Sequence, residues 1–178
     1  MHIIEKIISN FSNNNSLYIG ENLTMSEHMI QSAMMAEKAK CDDDLVCSCL
    51  LHDYGHFLIN NPDELVKKKL DGGHESIGYE YLKKFFNKKV VDPIKYHVLA
   101  KRYLAREKKY FAKLSPASKI SLKLQGGILN DKDAARFKNK SYFKSSILLR
   151  KFDEAAKKTY VKMKTIHDYK KLLISKII

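Results

Sequence analysis

Helical punctuation is the feature that most constrains this chain. Only 7 glycines and 3 prolines interrupt 178 residues, and no run alternates β-branched with polar residues. Such a chain has few places to turn and no segment patterned for a half-buried strand, so it reads as all-α. Apolar residues make up 44% and charged residues 30%, enough to fill one hydrophobic core and too apolar for disorder. A compact single domain over 1–178 is expected, with no linker or internal repeat and no sheet of consequence.

Start and stop signals divide the chain into helices. One is expected over about 2–11, ended by the polar stretch Ser12 to Ser16. The next runs from Thr24 or Ser26 to about Ala39, with Met29, Ala33 and Ala36 on a stripe that also holds His28. Asp42 to Asp44 open a third helix that carries His52 and Asp53 near its end, and Gly55 is expected to stop it. The turn Asp71-Gly72-Gly73 leads into a helix through Phe86 with His74 in its first turn. Asp92-Pro93 is read as the start of a helix bearing His97 and Lys101 on one face. Ser115-Pro116 begins a helix through Leu124, closed by Gln125-Gly126-Gly127. Further helices are expected over 131–137, 141–156 and 165–178.

The net charge of +13 favours anionic substrates. The lysines are scattered as short clusters such as Lys67 to Lys69, Lys83-Lys84, Lys88-Lys89 and Lys157-Lys158 among apolar helical positions, which fits solvated faces and argues against a nucleic-acid footprint. Cys41, Cys47 and Cys49 are odd in number and crowded together, unlike a secreted disulfide framework, and read as structural packing. No stretch is apolar and long enough to span a bilayer, and the start lacks a signal-peptide pattern. A cytoplasmic protein in a reducing compartment is the expectation.

Of seven histidines, four fall on expected inward positions: His28, His52, His74 and His97. One is followed directly by a carboxylate in the apolar run Leu50-Leu51-His52-Asp53-Tyr54-Gly55-His56. Buried imidazoles and carboxylates are costly unless paired or bound to a cation. A carboxylate beside an imidazole can bridge two cations where the imidazole binds only one. Nitrogen and oxygen donors without thiolate suit zinc, iron, manganese or nickel, and argue for an open, catalytic site over a closed structural one. Lys101 lies one helical turn beyond His97, placed to hold an anion beside metals.

The order His, His-Asp, Asp, with two further histidines, resembles the HD-domain superfamily. The resemblance implies a helical fold with a dinuclear site between helices: His28, His52, Asp53 and Asp153 on one metal, His74 and His97 on the other, Asp53 bridging. By spacing alone Asp131 and Asp133 compete with Asp153. A narrower resemblance selects Asp153. Tyr18-Ile19-Gly20-Glu21, the run His97 to Leu104, Leu114-Ser115-Pro116-Ala117-Ser118, Gln125-Gly126-Gly127 and Arg150-Lys151-Phe152-Asp153-Glu154 together look like the organophosphonate-cleaving diiron oxygenases.

That resemblance implies two iron ions, Fe(II)/Fe(III), acting with O2 on a small α-hydroxy aminophosphonate such as 2-amino-1-hydroxyethylphosphonate, with glycine and phosphate as products. It assigns Asp53, His56 and Lys101 to catalysis, and Tyr18, Glu21, His56, Lys101, Ser118, Gln125 and Arg150 to substrate binding. Phe152 and Ile128 depart from the pattern, which has tryptophan and proline there. The His-Asp motif on its own also permits a second chemistry, a metal-dependent phosphohydrolase acting on nucleotides or other phosphate esters.

Overall fold

The computed structural model describes residues 2–18, 22–59 and 73–178. Glu21 and the stretch containing Lys67 to Lys69, Asp71 and Gly72 lie outside the described residues. Among those described there is no strand, only the isolated bridges Leu17 with Thr24 and Phe86 with Ile177, in line with the all-α reading. The helices are α1 (His2–Asn13), α2 (Met25–Lys38), α3 (Asp43–Leu51), α4 (His74–Leu82), α5 (Lys88–Leu104), α6 (Lys108–Lys113), α7 (Pro116–Leu124), α8 (Asp131–Lys138), α9 (Phe143–Ala155) and α10 (Lys170–Ser175). Short 3-10 turns cover Tyr54–Leu58 and Ile166–Tyr169.

The helix starts follow side-chain capping. Thr24 accepts from the Glu27 amide while the Glu27 carboxylate accepts from the Thr24 amide, closing a capping box on α2. Asp42 caps α3, Ser115 caps α7 ahead of Pro116, and Asn130 caps α8.

Four boundaries differ from the sequence reading, each for a packing reason. Asn87 caps α5, so Pro93 lies inside that helix rather than at its start. Proline has no N–H for the Lys89 carbonyl, and Ser48 of α3 brings its hydroxyl to 3.5 Å from that oxygen and 2.8 Å from the Val90 carbonyl. Gly55 does not stop α3, which ends at Leu51; it lies in the following 3-10 turn, where a Cβ would sit 1.9 Å from the His74 carbonyl oxygen. Its job is close approach to α4. That helix ends at Leu82, short of Phe86, and Phe86 instead pairs with Ile177. The expected C-terminal helix starts as a 3-10 turn over Ile166–Tyr169, where Asp168 accepts from the Thr165 amide at 2.7 Å, continues as α10 and ends at Ser175, beyond which Ile178 donates to the Phe85 carbonyl at 3.0 Å. Helix α6 was unanticipated; it buries no residue, so it leaves no apolar period to detect.

Packing centres on α5, which lies against α9, α4 and α3, while α2 packs on α3 and α9. Ile3, Ile4, Ile7 and Phe11 of α1 share one apolar core with Leu45, Leu50, Ile94, Leu149, Tyr169 and Leu173. Burying several such side chains at about 1.5–3 kcal/mol each dominates the favourable side of folding. The inner ends of α2, α3, α4, α5 and α9 differ from this core, since there the buried residues are polar.

Candidate metal centre

His28 comes from α2, His52 and Asp53 from the two positions after α3, His74 from the first position of α4, His97 from α5 and Asp153 from α9. All six are buried. Gly73 has φ +59°, a left-handed turn that L side chains rarely adopt, and it delivers the chain into α4 with His74 leading.

The ring orientations are fixed from behind. His28 Nδ1 lies 2.8 Å from the Ala156 carbonyl, His52 Nδ1 2.8 Å from the Cys49 carbonyl and His97 Nδ1 2.7 Å from the Ile94 carbonyl. A carbonyl only accepts, so each Nδ1 carries the proton and donates, and in the neutral ring Nε2 holds a bare lone pair. In the first group the Nε2 atoms of His28 and His52 meet at 3.1 Å; lone pairs face to face in a buried site repel, and a cation between them removes the conflict. In the second, His74 Nε2 lies 3.1 Å from the bare Nε2 of His97 and 3.3 Å from Asp53 Oδ1. Asp153 Oδ1 is buried beside the first pair, 3.3 Å from His28 Nε2, with no hydrogen-bond partner.

Two triads of ligand atoms result, His28/His52/Asp153 and Asp53/His74/His97, each with its atoms within 4.8 Å of one another. Asp53 presents Oδ1 to His74 at 3.3 Å and to His97 at 3.5 Å, and Oδ2 to His52 at 3.5 Å and to His28 at 3.7 Å. One carboxylate thus offers one oxygen to each triad. The donor set fits two metal ions of the imidazole-and-carboxylate class. Burial, reinforced by His74, pushes His97 down to about 3, which keeps it neutral and able to ligate. Burial opposes ionisation of Asp53, yet His52 and His74 hold its carboxyl well below the usual range. For Asp153 the same opposition is overcome by the Arg150 guanidinium and His28. Cys47 and Cys49 are buried elsewhere, and burial pushes both thiols up, away from the ligating thiolate.

Of the residues expected around the substrate, Glu21 lies outside the described residues. Lys101 is 4% exposed and donates to Ser121 Oγ at 2.6 Å and Gln125 Oε1 at 2.9 Å. Burial and then Arg150 push it down to about 7. Arg150, 3% exposed, donates to Asp153 Oδ2, to Glu154 Oε2 and, at 3.0 Å, to the Tyr110 hydroxyl. The buried Ser118 hydroxyl donates to Glu154 Oε2 at 3.0 Å. Tyr18 stacks on His28 with ring centroids 3.9 Å apart, and His56 on His74 at 4.2 Å. Each triad therefore carries an aromatic cover. Burial and His74 push His56 down to about 3.

Four contributors escaped the sequence reading: Ser121, Arg102, Glu154 and Lys157. Arg102 donates to the Gly127 carbonyl at 2.9 Å and the Gly126 carbonyl at 3.0 Å, tying down the turn that carries Gln125. Glu154 stands four residues after Arg150, a helical ion-pair spacing that was available as a signal. Ser121 and Arg102 had none, since their partners lie on other segments.

A family model for the HD domain matches residues 25–136. The chain belongs to the HD-domain family. It is 42% identical over 142 residues, 79% of this chain and 72% of the relative, to a [1-hydroxy-2-(trimethylamino)ethyl]phosphonate dioxygenase (glycine-betaine-forming) of Leisingera caerulea. It is 37% identical over 157 residues, 85% of this chain and 77% of the relative, to a hydroxymethylphosphonate dioxygenase of Gimesia maris. An uncharacterized protein of Acanthamoeba polyphaga mimivirus is 34% identical over 160 residues, 88% of this chain and 73% of that one. Arg150 and Asp153 lie beyond the stretch the family model matches, and α9 brings them in.

Proposed function

We propose that this chain is an iron-dependent oxygenase that cleaves the carbon–phosphorus bond of a small α-hydroxy aminophosphonate with O2. 2-amino-1-hydroxyethylphosphonate and O2 would give glycine and phosphate, a balanced reaction. The observation that carries this reading is Asp53 offering one oxygen to each of two histidine triads, beside the buried cation Lys101, in a chain two of whose relatives are phosphonate dioxygenases.

In this reading His28, His52 and Asp153 would hold one iron and His74 and His97 the other, with Asp53 available to both. An Fe(II)/Fe(III) pair bound there would supply the redox capacity for O2. Lys101, Ser118, Gln125 and Arg150 bind the phosphonate, a dianion that restores the proton to a lysine set near neutrality. Tyr18 covers the first triad and, with Glu21, receives the amino end. His56, neutral and stacked on His74, is placed to accept a proton as the substrate reacts. Residues 1–178 act as one catalytic unit, supported by a core that joins α1, α9 and α10. A cytoplasmic location fits three free thiols, and among the described residues no helix is long and apolar enough to cross a membrane.

The test is phosphate release from 2-amino-1-hydroxyethylphosphonate, hydroxymethylphosphonate and the trimethylammonium analogue, with ferrous iron and ascorbate, in air and under argon. Oxygen-dependent release, with a coupled mixed-valence signal in electron paramagnetic resonance, is expected. Absence of oxygen-dependent release from all three overturns the reading. Oxygen-independent hydrolysis of phosphate esters with manganese or magnesium would replace it with a phosphohydrolase.

A further inference from the structure

Ser118 is assigned above to the phosphonate, but its hydroxyl is fully engaged within the protein. A serine hydroxyl has one proton to donate, and here that proton goes to Glu154 Oε2 at 3.0 Å. The same oxygen accepts from Arg150 Nη2. The other oxygen, Oε1, accepts from Lys157 Nζ at 3.0 Å and from the Ser115 amide at 3.4 Å. Lys157 closes the circuit by donating to Ser118 Oγ at 3.0 Å and Ser115 Oγ at 3.1 Å. Its ammonium also lies 5.9 Å from the ring centre of Tyr18, so the circuit borders the aromatic cover of the first triad. The side chains of Glu154 and Lys157 are only 15% and 11% exposed.

Glu154 thus holds a carboxylate among the same donors that a phosphonate needs. Two anions compete for one proton on Ser118 and for the charge of Arg150, and the low dielectric of a buried site strengthens the competition. Among the described residues Asp153 also draws on Arg150, accepting at Oδ2 and turning Oδ1 to His28, but it makes no bond to Ser118.

We propose that Glu154 is an internal competitor for the Ser118 hydroxyl, yielding it when a phosphonate enters, and that this exchange sets the affinity of the site for its substrate. The proposal rests on the reading of Ser118 and Arg150 as phosphonate donors. Glu154 is a specificity-determining residue in this account: a weakly charged or singly charged ligand does not compensate the lost bond, whereas a dianion does.

The experiment is calorimetric titration of the iron-loaded protein with 2-amino-1-hydroxyethylphosphonate under argon, where no turnover occurs, alongside inorganic phosphate. Wild type, Glu154→Gln, Ser118→Ala and the double variant are compared. Glu154→Gln should bind the phosphonate about tenfold more tightly, the worth of one hydrogen bond to a charged group. In the Ser118→Ala background the same substitution should gain only about twofold, since the shared proton is gone. Weaker or unchanged binding by Glu154→Gln overturns the proposal. So does an equal gain in both backgrounds, which reports mere removal of negative charge. Glu154→Asp, which keeps the charge but shortens the reach to Ser118, carries the test if Glu154→Gln loses iron, with tighter binding again expected and weaker binding again adverse. Failure of the wild type to bind or turn over any phosphonate sinks the proposed function and this proposal together. A wild type that binds and turns over, with Glu154→Gln unimproved, sinks this proposal alone.

Discussion

Lys101 sits almost out of contact with solvent, and burial followed by Arg150 lowers its proton affinity to about 7 from 10.5. Between those two pH values the unfolded chain holds the lysine proton more firmly than the native one, so native stability rises with pH across this window. Lys101→Met should abolish that slope and raise stability near neutrality by about 1–4 kcal/mol, read by urea denaturation at pH 6, 7.5 and 9, while phosphonate turnover collapses. The ammonium form is the one that binds a dianion, so kcat/KM should fall as pH rises above about 7, and Lys101→Met should lose that limb. Ligand substitutions should separate the two ions. His97→Ala and Asp153→Ala should each retain about one iron per chain, and Asp53→Ala should retain neither firmly, measured by metal analysis after desalting. The inward histidines were legible because helical register forces a burial decision on each of them. Lys157 was not, because a lysine four positions past Asp153 reads equally well as a solvated charge, and Glu154 was signalled only by its helical spacing from Arg150.

At the scale of elements, the contact between the 3-10 turn and α4 is the one with no slack. A methyl group at Gly55 meets the His74 carbonyl at 1.9 Å and Gly78 N at 2.9 Å, both backbone atoms. Gly55→Ala should destabilise the fold by about 3 kcal/mol and lower iron content, because the helix it displaces begins with the ligand His74. Thr24→Ala, which opens the capping box of α2, should cost about 1 kcal/mol and leave iron content unchanged, since His28 is held further along by the Ala156 carbonyl. Guanidinium denaturation with metal analysis checks both. Helix identities came through from caps and apolar periods, but ends did not where tertiary contacts decided them. Ser48 reaching the Lys89 and Val90 carbonyls lets α5 continue through Pro93, and pairing of Phe86 with Ile177 draws both residues out of the helices expected for them.

Across the whole molecule, the net charge of +13 should speed the encounter with a dianionic substrate. The value of kcat/KM should therefore fall as ionic strength rises from about 10 mM to physiological salt, where the screening length shortens to about 8 Å. The candidate ligands span five elements from His28 to Asp153, so a bound metal would tie together segments remote in sequence. Saturating iron at about a thousand times its dissociation constant should contribute about 4 kcal/mol, and chelation should lower Tm accordingly. One consequence follows from α5 alone. Packed against α3, α4 and α9, it carries the ligand His97 and, four residues on, the cation Lys101, an axial offset of about 6 Å at helical rise. Neither group can slide relative to the other, so the helix is a ruler. On the proposed reading a substrate would be measured against it by the number of atoms between its metal-facing hydroxyl and its phosphonate, and phosphonates with the hydroxyl one carbon further out should be poor substrates.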